Sequence, residues 1–193
     1  MEVEQALKSD ADDLAYLIDI AGEGMPQYIW RRMAEPGQTA LEVGALRAAR
    51  EEGGFSYRNA LVCRDHGNVL GMIIAYKLAD PYALGGLNDA LDIVRPLILL
   101  EAAAPGSWYI NAVATYEAAR GQGVARMLML EAQEKGRLQG CTEASLIVAS
   151  GNRSARHLYL QLGYRDTESQ PIVEYPGCPY GGDWVLMTKR LEH

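Results

Sequence analysis

Histidine, cysteine and long apolar runs are all scarce in this chain of 193 residues, and each shortage excludes something. The three histidines, His66, His157 and His193, lie far apart, with no HxxxH or HExxH pairing to offer a zinc site, so no metal is expected. The three cysteines, Cys63, Cys141 and Cys178, show no CxxC spacing. A domain of this length buries roughly 70% of the surface its unfolded chain exposes and needs no disulfide staple. The cysteines therefore read as reduced thiols of a cytoplasmic protein. The longest apolar stretch, Pro96 to Ala104, is too short to span a bilayer and contains Glu101. Met1-Glu2-Val3-Glu4 has neither the basic nor the apolar region of a signal peptide, so no membrane partner is expected. Basic residues are outnumbered, 18 Lys+Arg against 25 Asp+Glu, for a net charge of -7. That balance argues against a nucleic-acid partner and fits a neutral or cationic small molecule better. There is no internal repeat and no low-complexity linker. Leu191-Glu192-His193 resembles the start of a histidine tag, which leaves 1–190 as a single domain.

What the chain does contain is an alternation of helical and extended patterns. Val3 to Leu7 reads as a strand. Ser9 and Asp12 suggest a capping box for a helix whose Leu14, Leu17, Ile18 and Ala21 share one face. A helix from Pro26 carries Tyr28, Trp30 and Met33, and a third spans Thr39 to Glu52. Asn59 to Arg64 and Val69 to Leu78 flank the turn Asp65-His66-Gly67-Asn68 as an antiparallel hairpin. Asp89 to Ala104 reads as a helix interrupted by Pro96. Then follow a strand from Ser107 to Thr115, a helix from Gly121 to Gln139, a strand from Ala144 to Ala149 and a helix from Asn152 to Leu162. Strands at Tyr164 to Val173 and Asp183 to Lys189 close the chain. The pattern predicts an α/β (α+β) fold, a mixed sheet of about seven strands flanked by helices.

The chemistry is concentrated in Arg120-Gly121-Gln122-Gly123-Val124-Ala125, between a strand and a helix. A glycine-rich turn at a helix start presents free backbone N–H groups and the positive end of the helix dipole, a site suited to phosphate. A Walker loop is excluded because no Lys-Ser or Lys-Thr follows Gly123. A dinucleotide fingerprint fails at its third position, where Arg126 stands. Arg120-x-x-Gly123-x-Ala125 instead resembles the Arg/Gln-x-x-Gly-x-Gly/Ala signature of the GCN5-related N-acetyltransferase (GNAT) superfamily. Ala112-Val113-Ala114 is similar to the end of that family's fourth strand. Asn152-x-x-Ala155-x-x-x-Tyr159-x-x-Leu162-Gly163-Tyr164 is similar to its second conserved block.

The resemblance implies a GNAT fold, splayed between strands 4 and 5, that moves an acetyl group from acetyl-coenzyme A (acetyl-CoA) to a primary amine by direct attack. It implies that the pantetheine arm pairs with the backbone of Ala112 to Ala114, and that the pyrophosphate sits on the N–H groups of Gly121, Gln122, Gly123, Val124 and Ala125. Arg120 and Arg126 would add charge, and Asn152 would bond to the pantetheine amide or to nearby backbone. Tyr159 falls where the family places its general acid for the leaving thiolate. The oxyanion would take an N–H of Val113 or Ala114. Many relatives are dimers, which suggests a homodimer. The acceptor, a small-molecule or peptide amine, is not legible.

The general base is where the sequence departs from well-known members. Strand alternation puts Ser107 and Tyr109 where those carry Glu or His, with Asn111 on the same face, and none is a base at neutral pH. A water chain ordered by Tyr109 or Asn111, Glu117 after the strand, and Glu23 in the first-helix loop are the candidates. This missing base keeps open a second reading, a non-enzymatic acyl-CoA-binding sensor or interaction module on the same fold. Tyr159 also falls on an apolar helix face and could be core; Tyr28, Trp30 and Met33 could line an acceptor pocket or pack in the core; Cys178 reads as a loop thiol and His157 as a surface residue.

Overall fold

The computed structural model describes residues 1–192, so His193 of the expected tag remnant lies outside the described residues. Leu191 is buried, and its N–H donates to the carbonyl of Thr142 at 2.8 Å. The strands are β1 (Glu2–Gln5), β2 (Ala60–Asp65), β3 (Asn68–Lys77), β4 (Trp108–Thr115), β5 (Glu143–Ala149), β6 (Arg165–Pro171) and β7 (Asp183–Arg190). They form the expected mixed sheet, in the order β1-β2-β3-β4-β5-β7-β6, with β4 and β5 parallel. The helices are α1 (Ala11–Ala21), α2 (Met25–Arg31), α3 (Ala40–Ala48), α4 (Arg95–Ala102), α5 (Val124–Leu138) and α6 (Arg153–Gln161). Contacts group the chain into two compact units. One comprises Met1–Ala75 with Asn111–Ala132, the other Tyr76–Ile110 with the chain from Gln133 onward. Among the described residues no helix is long and apolar enough to cross a membrane.

In the first unit β1 and β3 flank β2 in antiparallel register. His66 (φ 47°) and Gly67 (φ 83°) both take positive φ in the connecting turn. That is the two-residue turn whose twist matches paired strands, and the predicted hairpin forms. α1 buries Leu14, Leu17 and Ile18 and packs on α3. It does not start with the Ser9/Asp12 box. The Asp10 carboxylate accepts the Leu7 N–H at 2.8 Å and pairs with Arg64 at 2.5 Å, which holds Lys8–Asp10 in a 3-10 turn. α3 ends four residues before Glu52 because Ser56 Oγ donates to the Arg50 carbonyl at 2.5 Å and turns the chain early. At its start Thr39 Oγ1 accepts the Glu42 N–H at 3.2 Å, and the Glu42 carboxylate accepts the Thr39 N–H at 2.7 Å. Thr39→Ala removes half of this reciprocal cap and is expected to cost about 1 kcal/mol, read from the urea midpoint.

In the second unit α4 is shorter than the expected 89–104 helix. Pro96 does not interrupt it but lies in its first turn, where a missing N–H and a fixed φ cost nothing. The preceding residues form turns, with Leu87–Asp89 in a 3-10 helix and the Val94 N–H donating to Leu91 O at 2.8 Å. α4 packs against β6 and β7. Trp108 of β4 lies against α5 at Gly136, where a Cβ would stand 2.4 Å from the indole. That glycine lets the helix sit directly on the strand.

Candidate functional site

In the first unit β4 leads into the glycine turn. Along its end Asn111, Val113 and Thr115 are half-buried on one face, while Ala112 and Ala114 are buried on the other. A 3-10 turn, Glu117–Ala119, follows, anchored by the buried Ala119. Arg120 is extended and exposed; Gly121 (φ 74°) and Gly123 (φ 83°) are left-handed. A Cβ at either glycine would meet nothing within 4 Å, so neither is required by packing inside the chain. Both keep the backbone open to solvent in a conformation that L side chains resist.

The Val124 side chain is buried and fixes the start of α5, whose first backbone N–H groups have no intrahelical acceptor. No acidic residue occupies the first turn of α5, in contrast to Asp12 and Asp13 on α1 and Glu42 on α3. The positive end of this helix is therefore unneutralised, and Arg120 and Arg126 flank it. Gln122 braces the turn by donating to the Ala118 carbonyl at 2.9 Å, and Ala125 is half-buried. Beneath it, a Cβ at Gly71 of β3 would stand 2.7 Å from the Ala114 carbonyl oxygen and 3.0 Å from Val124 Cγ1. Only glycine lets β3 approach this corner. Nearby, Tyr116 donates to the Asp13 carboxylate and stacks on Tyr16 at 5.3 Å. Both residues named by sequence as carboxylate candidates are elsewhere in this unit. Glu117 is exposed, and Glu23 takes φ 58° in the turn between α1 and α2. Trp30 is spent in the core against Gly44 of α3, while Met33 is exposed.

In the second unit the β4–β5 ladder covers Trp108–Ile110 against Ala144–Leu146 and ends there, although β5 continues to Ala149 along β7. Asn152 caps α6, its Oδ1 accepting the Ala155 N–H at 3.2 Å. Tyr159, two turns on, is 7% exposed and meets the Tyr164 ring edge-on at 6.2 Å. The Tyr164 hydroxyl accepts from Gln133 Nε2 at 3.3 Å, and Gln133 Oε1 accepts from Lys189 at 2.6 Å. Burial pushes the Tyr164 phenol up and the Lys189 ammonium down from their ordinary values.

The fourth-strand positions considered for a base have definite partners. Ser107 is buried, donates to the Ala104 carbonyl at 2.7 Å and lies 2.6 Å from Ser145 Oγ, so it is a structural hydroxyl. Tyr109 is buried and donates to Glu101 of α4, which also accepts from Tyr82 at 2.5 Å. Burial raises the proton affinity of Glu101, against the pull of the two phenols; burial and the Glu101 charge push Tyr109 well up. Sequence reasoning missed Glu101 as a functional candidate. The signal available was a single carboxylate inside the apolar run Pro96 to Ala104. Cys178 Sγ donates to the Tyr180 carbonyl at 3.2 Å. Among the described residues no group of three His, Cys, Asp or Glu side chains could hold a metal ion.

Compared with known families, residues 26–164 match the acetyltransferase (GNAT) family. Among solved structures, the chain is similar to an N-acetyltransferase from Staphylococcus aureus Mu50, with 18% identity and a TM-score of 0.65 over 98% of this chain and 100% of that one. It is similar to a polyamine N-acetyltransferase of Drosophila melanogaster that forms N-acetylagmatine, with 15% identity and a TM-score of 0.66 over 98% of this chain and 99% of that one. It is also similar to yncA from Salmonella typhimurium, solved with its cofactor acetyl-CoA, with 18% identity and a TM-score of 0.61 over 99% of this chain and 94% of that one. At these identities the likeness is one of fold. No curated protein matches the sequence.

Proposed function

The chain belongs to the acetyltransferase (GNAT) family, acetyl-CoA-dependent N-acetyltransferases, and from that premise we propose that it acetylates a cationic primary amine by direct attack, with Tyr159 as general acid. The observation that carries the donor site is the acid-free start of α5 behind two left-handed glycines. Its free N–H groups suit a pyrophosphate, which gains from the helix dipole and from backbone that no side chain holds at a distance. The residues that would take it are Arg120, Gly121, Gln122, Gly123, Val124 and Ala125. Ala112, Val113 and Ala114 would offer backbone to the pantetheine arm, in keeping with the early end of the β4–β5 ladder. Asn152 fixes the start of α6 and would meet the same arm.

The acceptor nitrogen attacks the thioester carbonyl carbon and a C–N bond forms. The oxyanion is held by an N–H of Val113 or Ala114. When the C–S bond breaks, its electron pair leaves with sulfur, which takes the phenolic proton of Tyr159. The net charge of -7 favours a cationic acceptor, and the polyamine acetyltransferase among the similar folds is in keeping with one. Free Cys63, Cys141 and Cys178 support a reducing, cytoplasmic setting.

Thermal unfolding with and without acetyl-CoA tests the donor site. At about a hundred times its dissociation constant the ligand adds roughly 2.7 kcal/mol. A rise in Tm of roughly 5 to 10 °C is expected, with NAD as an inert control. An unchanged Tm would remove the proposed pyrophosphate cradle.

A further inference from the structure

We propose that Glu101 receives the ammonium group of the acceptor and removes its proton, held for that task by Tyr82 and Tyr109. The inference rests on the acetyl-transfer reading and supplies the base that β4 itself lacks. Glu101 is a half-buried carboxylate on α4 with two neutral donors, the phenols of Tyr82 (2.5 Å) and Tyr109. Among the described residues no cation pairs with it. A carboxylate offers about four lone-pair positions, and two phenols leave room for N–H donors. Partial burial without a counter-charge makes it a site that a cationic ligand completes.

The walls suit such a ligand. Phenols from β4 and the 78–94 segment reach the carboxylate, and Tyr76 of β3 meets the Tyr109 ring edge-on at 5.9 Å. Ring faces attract ammonium groups. β6 and β7, which also pack on α4, bring no charged group to it. Strand alternation puts Tyr109 on the same face of β4 as Asn111 and Val113, about 6.6 Å apart per pair of residues.

The proton account closes. Glu101 takes one proton from the ammonium, which frees the nitrogen lone pair to form the C–N bond. The adduct loses a second proton to solvent as the C–S pair leaves with sulfur. Tyr159 protonates sulfur and is reprotonated from solvent, to which Glu101 releases the proton it took. Burial favours this role, since a carboxylate with raised proton affinity is a stronger base near neutral pH.

The full chain is assayed for thiol release from acetyl-CoA with agmatine, spermidine and a peptide bearing N-terminal alanine as probes. For the best of these, Glu101→Gln is expected to lower kcat/KM at pH 7 roughly a hundredfold. Its activity should then climb with pH toward the pKa of the amine, about 10.4 for an alkyl amine and about 8 for an N-terminal α-amine, and converge on wild type, whose profile flattens above the Glu101 pKa. The variant keeps the amide oxygen for both phenols, and its rise in Tm with acetyl-CoA should match wild type. Tyr82→Phe removes a donor to the charged carboxylate and should move the acid limb of the wild-type profile to higher pH. Wild-type kcat/KM and profile in Glu101→Gln overturn the proposal, as does a wild type that binds acetyl-CoA but acetylates none of the three probes. If Glu101→Gln fails to fold, an unmoved acid limb in Tyr82→Phe overturns it. Absence of the Tm rise in wild type is the separate failure of the acetyl-transfer reading, and this proposal falls with it.

Discussion

Tyr159→Phe is expected to lower kcat by a hundredfold to a thousandfold while the protein stays folded and still binds acetyl-CoA. The ring is 7% exposed and packs edge-on against Tyr164, and phenylalanine keeps that ring in place. Removing the hydroxyl costs stability no more than one hydrogen bond is worth, about 1 kcal/mol. The catalytic loss comes from asking a thiolate to leave without a proton. Its pH dependence has a definite sign. A thiol loses its proton near pH 8.5, so above that pH the departing sulfur needs no donor and the defect should shrink. Thiol release followed from pH 6 to about 10 measures both effects. Unchanged kcat across that range would leave Tyr159 as a core ring only.

Gly71→Val is expected to destabilise the protein by about 3 kcal/mol, at the upper end of ordinary overpacking. A Cβ at this position stands 2.7 Å from the Ala114 carbonyl oxygen, 2.9 Å from Thr115 Cγ2 and 3.0 Å from Val124 Cγ1. The first of these is backbone and cannot rotate away. Valine adds two methyls to the clash, so relief requires β3 to retreat from the end of β4 and the first residue of α5. Those are the elements that carry the proposed cradle, so acetyl-CoA affinity should fall together with the urea midpoint. Gly71→Ala should give a smaller loss of both. A Val variant of wild-type stability would mean that β3 has slack at this corner that its contacts do not suggest.

Local patterns made most of the architecture readable. The hairpin at His66-Gly67 announced itself because a two-residue turn of this kind demands residues that tolerate positive φ. The glycine turn at 120–125 was legible because helix starts, left-handed residues and absent acids are all local features. Where long-range partners decide, the sequence was silent. Asp10 starts its turn because Arg64, 54 residues away, meets its carboxylate; Ser9 looked like the better cap from its neighbours alone. Pro96 read as a break in a long helix, but turns before Arg95 made it part of a helix start. Glu101 was visible as an odd charge in an apolar run. Its meaning depends on Tyr82 and Tyr109, 19 residues before it in one case and on a different element in the other, and no spacing rule connects the three.

The position of β7 has a consequence for how the second unit is made. It lies between β5 and β6, paired with β5 from Glu143↔Arg190 to Ala149↔Trp184 and with β6 from Arg165↔Thr188 to Pro171↔Asp183. During synthesis, β5, α6 and β6 leave the ribosome before the strand that joins them exists. Their facing edges expose unpaired N–H and C=O groups throughout that interval, the condition under which strands find wrong partners. β6, with almost every residue exposed and carrying Arg165, Asp166 and Glu168, is a poor template for such pairing. Its charge guards the nascent chain while the central strand, rich in buried Trp184, Val185, Leu186 and Met187, is still to come.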